Sequence, residues 1–155
     1  MIGKIATALK ETTGAGLLLV SLAACSTASH AATYTMYRDA GCGCCLKWAE
    51  HAETGLDAKV ISEDAPDMQA LKDLHNVPRE LRSCHTMIVE GYVIEGHVPA
   101  ETIKKLLSER PAGVTGIAVP GMPVGSPGME YRNMKQPYQV IAFGPSGQSI
   151  FARYN

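Results

Sequence analysis

Three cysteines fall within four residues, Cys42-Gly43-Cys44-Cys45, between a β-rich run and a helical one. That cluster constrains the chain more than any other segment. The run before it, Tyr34-Thr35-Met36-Tyr37, consists of strand formers and stops at Arg38-Asp39-Ala40-Gly41. After it, the spacing predicts a helix from Cys44 to Thr54, with Cys45, Trp48, Ala49 and Ala52 on one face and Gly55 as C-cap. The triplet thus opens a helix, and helix N-termini favour anions, thiolates included. Packing thiolates together costs repulsion, which a bound cation removes. Thiolates suit Cu(I), Zn(II) and Fe–S clusters. A structural zinc site usually shows two C-x2-C pairs or a spaced His pair. C-x-C-C is too tight to supply one tetrahedral zinc. Crowded thiolates can instead bridge several two- or three-coordinate Cu(I) ions, so the expected ion is Cu(I), in a site that can be polynuclear.

The rest of the chain alternates strand and helix. Ala58–Ile61 reads as a strand and Asp67–His75 as a helix with Met68, Leu71 and Leu74 inward. Thr86–Val89 and Tyr92–Ile94 read as strands joined at Glu90-Gly91, a two-residue hairpin signal. Pro99 opens a third helix at its first position, and that helix ends before Pro111. A Gly/Pro-rich irregular segment follows, then a C-terminal hairpin of Tyr138–Phe143 and Ser149–Tyr154 around Gly144-Pro145-Ser146-Gly147. The order β-α-β-α-β-β-α predicts a mixed α/β sheet with flanking helices, in the thioredoxin-like arrangement. In that fold a C-x-x-C lies where the first strand enters the first helix, as Cys42–Cys45 does here.

In thioredoxin-like folds the loop before the third strand carries a cis-proline beside the C-x-x-C. Here Ser83-Cys84-His85-Thr86 holds that place, so Cys84 is expected to face Cys42 and Cys45. His85 is expected as a ligand or as a hydrogen-bond donor to one. Val119 to Glu130 carries Met122 and Met129 in a backbone too rich in Pro and Gly for a helix or central strand. Thioethers suit Cu(I), but thioether packing is the commoner use, so this loop is expected as a lid, with Met122 and Met129 as additional candidates. His97 is expected to be structural, His51 to lie away from the site, and Trp48 to be core.

The first residues read as a targeting segment. Lys4 and Lys10 precede an uncharged apolar run from Gly14 to Ala24, far short of the ~20 residues that span a bilayer. Residues 1–24 are expected to be a signal peptide, 25–33 a tether and 34–155 the metal-binding domain. Leu22-Ala23-Ala24-Cys25 offers a lipoprotein exit that would lipidate Cys25 and anchor the domain to a membrane; Ser29-His30-Ala31 offers ordinary cleavage. The lipoprotein exit is preferred, and the periplasm is the expected compartment. With 14 basic and 15 acidic side chains and no basic patch, the composition points away from nucleic acid and toward a metal ion as partner.

Taken together, Met36-Tyr37-Arg38-Asp39, Cys42-Gly43-Cys44-Cys45, Ser83-Cys84-His85-Thr86, Gly91-Tyr92, Glu95-Gly96-His97-Val98-Pro99-Ala100, Val119-Pro120-Gly121-Met122-Pro123 and Gly125-Ser126-Pro127-Gly128-Met129 resemble the CopG family. These are exported bacterial metal-binding proteins linked to copper resistance. The resemblance runs from about Tyr34 to Tyr154 and implies a thioredoxin-like fold. It also implies a cysteine-bridged Cu(I) cluster held by Cys42, Cys44, Cys45 and Cys84, and a role cycling copper between oxidation states. Three functions stand open: a Cu(I)-binding resistance protein exchanging copper with other periplasmic copper-handling proteins, a copper oxidoreductase, and a thiol–disulfide oxidoreductase using Cys42 and Cys45.

Overall fold

A computed structural model describes residues 31–155; the expected signal peptide and Cys25 lie outside the described residues. Seven strands form one mixed sheet: β1 (Ala32–Arg38), β2 (Ala58–Asp64), β3 (His85–Val89), β4 (Tyr92–Glu95), β5 (Gly116–Ala118), β6 (Tyr138–Gly144) and β7 (Gly147–Tyr154). Their spatial order is β2-β1-β3-β4-β5-β6-β7. Strand β1 runs parallel to β2 and antiparallel to β3, and β3 pairs antiparallel with β4. With helices α1 (Gly43–Leu56), α2 (Met68–Leu74) and α3 (Ala100–Glu109), the first four strands make the thioredoxin-like core. Strands β5 to β7 extend the sheet past β4. No described helix is long and apolar enough to cross a membrane.

The sheet's alternation sorts two cores. Helices α1 and α3 cover one face, where Trp48, Ala52, Ile103 and Leu106 pack on Met36, Met87, Ile94 and Ile117. The other face holds Val77, Leu81, Val93, Ala118 and Phe143. The buried residues of α1 are Cys45, Trp48, Ala49 and Ala52, the face the spacing predicts. Glu90 and Gly91 both have positive φ, +46° and +86°, as a primed hairpin turn requires.

Three local expectations need correction. Gly55 does not cap α1; the helix continues to Leu56 and Asp57 takes the left-handed C-cap position. The glycine is there for space, since a Cβ on it would lie 2.2 Å from the Ala100 Cβ. Leu74 faces solvent, 76 % exposed, while Lys72 is the fully buried member of α2. The Gly/Pro segment is not wholly irregular, for Gly116-Ile117-Ala118 is a buried central strand. Its glycine admits the close approach of Val93 and Phe143, whose nearest atoms would lie 2.5 Å from an added Cβ.

Helix α2 is short and depends on its start. Asp67 Oδ1 accepts from the Ala70 N–H at 2.9 Å. Asp67→Ala is expected to cost about 1 kcal/mol, read as a shifted urea midpoint with an unchanged m-value.

Candidate metal centre

Strand register closes the site. Arg38 at the end of β1 pairs with His85 at the start of β3. That brings the Cys84 loop against the turn into α1, where the Asp39 N–H donates to the Cys84 carbonyl at 3.3 Å and the Cys42 N–H to the Asp39 carbonyl at 3.1 Å. Cys42 is the extended N-cap of α1, and no acidic side chain occupies the first turn. The Sγ atoms of Cys42, Cys44, Cys45 and Cys84 all lie within 4.8 Å of one another. The four cysteines singled out in the sequence thus meet in one place.

They meet in an oxidised state. Cys42 and Cys45 form a disulfide with Cα atoms 5.4 Å apart, while Cys44 and Cys84 are free thiols. Cys44 Sγ lies 3.4 Å from Cys42 Sγ. Burial, reinforced by neighbouring Cys44, pushes the Cys84 thiol up to about 12. Without a metal, Cys84 is therefore protonated at neutral pH.

Two buried histidines flank Cys84. The His85 Nδ1 lies 3.4 Å and the His97 Nε2 3.2 Å from the Cys84 Sγ. Burial lowers both imidazoles' pKa and keeps them neutral; neighbouring His97 and Lys72 push His85 the same way. Hydrogen-bond partners then assign the tautomers. The His97 Nδ1 sits 2.8 Å from the Pro127 carbonyl, which can only accept, so Nδ1 carries the hydrogen and Nε2 presents a lone pair. A backbone carbonyl orienting the far nitrogen is the usual support of a metal-binding imidazole. The His85 Nε2 is buried with no partner. An orphaned N–H there would cost about 1–3 kcal/mol, so the hydrogen belongs on Nδ1, donating to the Cys84 sulfur. Of the two, His97 is the ligand-ready one. Sequence alone points to His85 rather than His97, because the carbonyl that orients His97 lies in a loop thirty positions away.

The methionine loop packs onto the site. Gly128, at φ +81°, lies flat on the first turns of α1: a Cβ there would fall 2.7 Å from the Cys44 carbonyl oxygen and 2.8 Å from the Trp48 nitrogen. Ser83 Oγ donates to the Gly121 carbonyl at 2.6 Å. Met122 is 52 % exposed, and Met129 is half-buried. His51 lies away from the cysteines, its Nε2 accepting from the Ala100 N–H. Trp48 is buried, donating Nε1–H to the Val98 carbonyl and lying 4.4 Å, centroid to centroid, from His85.

On the opposite sheet face a buried polar group holds the Cys84 loop. Lys72 and Glu95 form an ion pair of 2.6 Å with both side chains fully buried. Glu95 also accepts from the Ser83 N–H and from Thr86 Oγ1, both at 2.6 Å. Burial raises the Glu95 pKa while these three donors pull it down. The carboxylate thereby clamps both residues flanking Cys84-His85.

Once the Cys42–Cys45 disulfide is reduced, the donor chemistry fits a thiophilic ion: four sulfurs within 4.8 Å of one another and one oriented imidazole lone pair beside them. Comparison with solved structures supplies the relationship. One structure described as copper resistance protein CopG, form 2, is 43% identical, with a TM-score of 0.75, covering 81% of this chain and 100% of its own. A second, form 1, is 44% identical with a TM-score of 0.74, covering 81% and 98%. The chain belongs to the CopG family. The family model "Protein of unknown function, DUF411" matches residues 81–129. That stretch runs from the Cys84 loop through His97 to Gly128 and Met129 but excludes the C-x-C-C. No curated protein matches.

Proposed function

We propose that this chain is an exported, periplasmic copper-binding protein of copper resistance that holds a cysteine-bridged Cu(I) cluster on Cys42, Cys44, Cys45 and Cys84. The observation that carries the reading is the convergence of those four sulfurs within 4.8 Å. Polarizable thiolates favour Cu(I), and sulfurs this close can each bridge two ions, which makes the cluster polynuclear. His97 adds a nitrogen donor at its edge. Met122 and Met129 serve the loop that covers the site. Residues 1–24 direct export, and Cys25 supplies a lipid anchor that keeps the domain at the membrane.

The site must be reduced to load, because the disulfide removes two of its sulfurs. Anaerobic titration of the reduced protein with Cu(I), followed by native mass spectrometry, is expected to show several ions per chain. The Cys42→Ser/Cys44→Ser/Cys45→Ser variant is expected to lose them. Equal Cu(I) uptake by the variant would sink the proposal.

The disulfide itself favours a second reading, copper redox. Two Cu(II) ions accept one electron each as the Cys42 and Cys45 thiolates lose two, giving two Cu(I) and one disulfide. A thiol reductant then resets the pair. Loss of the Cu(II) EPR signal, with two ions consumed per disulfide formed, separates this from passive storage.

A further inference from the structure

Closing the Cys42–Cys45 disulfide splits the donor set rather than abolishing it. Cys44 and Cys84 remain free, and their sulfurs lie within 4.8 Å of each other. Two thiolates on opposite sides of one ion, each bonded at about 2.3 Å, stand roughly 4.6 Å apart. The two surviving sulfurs therefore need little or no movement to share an ion.

A third donor survives beside Cys84, in a second cluster of Cys84, His85 and His97 that shares only the Cys84 sulfur with the four-cysteine group, so His97 joins the ion by a small movement toward Cys44. The His97 Nε2 lies 3.2 Å from the Cys84 Sγ, and its lone pair is fixed by the Nδ1–H bond to the Pro127 carbonyl. The imidazole is fully buried, and its Nε2 has no protein partner other than that sulfur among the described residues. His85 contributes differently: with its hydrogen on Nδ1, it donates to the Cys84 sulfur and stabilises the thiolate that an ion would require. None of these groups takes part in the disulfide.

We propose that the disulfide-closed protein keeps a one-ion site built from Cys44, Cys84 and His97. Two sulfurs and one imidazole suit a soft or borderline d10 ion such as Cu(I), Zn(II) or Cd(II). Oxidation of the Cys42–Cys45 pair then lowers the capacity of the centre without emptying it. An ion stays in place while that pair gives up or regains electrons. The inference rests on the copper reading of the four-cysteine site, and its test separates the two.

The probe is Cd(II), which neither oxidises thiols nor reduces disulfides. The protein is air-oxidised, and peptide mapping confirms that iodoacetamide labels Cys44 and Cys84 but not Cys42 or Cys45. Native mass spectrometry is expected to show one Cd(II) held at this centre, with a thiolate-to-cadmium charge-transfer band in the ultraviolet. Cys84→Ser is expected to weaken binding at least a hundredfold and abolish the band. His97→Asn keeps a side-chain N–H for the Pro127 carbonyl but has no Nε2. It is expected to weaken Cd(II) at least tenfold at unchanged Tm. The proposal is overturned if the disulfide-closed protein takes up no Cd(II) at micromolar concentration, or if Cys84→Ser binds it equally. An unchanged affinity in His97→Asn removes His97 from the site. Cu(I) titration of the reduced protein runs in parallel. Several Cu(I) in the reduced state with no Cd(II) in the closed state overturns this inference alone, whereas no Cu(I) in the reduced state overturns the copper reading itself.

Discussion

Lys72→Met is expected to destabilise the metal-free protein by about 3–5 kcal/mol, the cost of leaving one partner of a buried ion pair uncompensated. Lys72 and Glu95 are both fully buried, so water cannot solvate the carboxylate once the ammonium is gone. A buried pair often adds little net stability over an apolar replacement. The penalty therefore comes from breaking the pair, and removing the charge should relieve it. Lys72→Met/Glu95→Gln keeps an amide oxygen for the Ser83 N–H and is expected to recover most of the loss. Urea unfolding followed by Trp48 fluorescence checks both, since Trp48 is the chain's single tryptophan and is buried beside the site. A Lys72→Met cost below ~1 kcal/mol would mean that solvent reaches this pair and that the clamp on the Cys84 loop is loose.

Gly128→Ala is the second large effect, expected at about 2–4 kcal/mol from the left-handed backbone and from overpacking together. The residue has φ +81°, and the three atoms nearest the new Cβ would all be backbone: Cys44 O at 2.7 Å, Trp48 N at 2.8 Å and Trp48 Cα at 3.2 Å. A helix backbone does not rotate away as a side-chain tip does, so either the loop lifts or the first turn of α1 shifts. Both outcomes disturb Cys44 and the Pro127 carbonyl that orients His97. Gly121→Ala is the control. Its φ is +68°, but an added Cβ would meet nothing within 4 Å, so it carries the conformational cost alone, about 1–2 kcal/mol. Equal Tm losses for the two variants would show that the loop does not press on the helix.

Local periodicity and turn chemistry made much of this fold legible. The apolar face of α1 repeats at helical spacing, and Glu90-Gly91 and Gly144-Pro145-Ser146-Gly147 are turns by composition. The four cysteines declare themselves by residue type. What stayed hidden depends on partners distant in sequence. Lys72 looks like a surface residue of a short helix until Thr86 and Glu95 are placed opposite it. Leu74 matches a helical stripe, yet α2 lies on the sheet with Met68 and Lys72 inward, which turns Leu74 to solvent. Gly55 carries a cap signal that the packing of α1 on α3 overrides. Strand β5 is three residues long, too short for alternation to register, and its neighbours β4 and β6 define it. His97 becomes ligand-ready only through a carbonyl thirty positions away.

The two ends of the disulfide are unequally placed. Cys45 is fully buried under the first turn of α1, whereas Cys42 is partly exposed. An attacking thiolate from outside must approach along the S–S axis, and it reaches only Cys42. Cys45 then departs as the leaving group, into the positive end of α1, where a thiolate is stabilised. A second donor thiolate then attacks the visitor's own sulfur, forming the donor's disulfide and releasing Cys42 reduced. The protein thus meets an electron donor through a single sulfur, and the traffic across that bond has a direction.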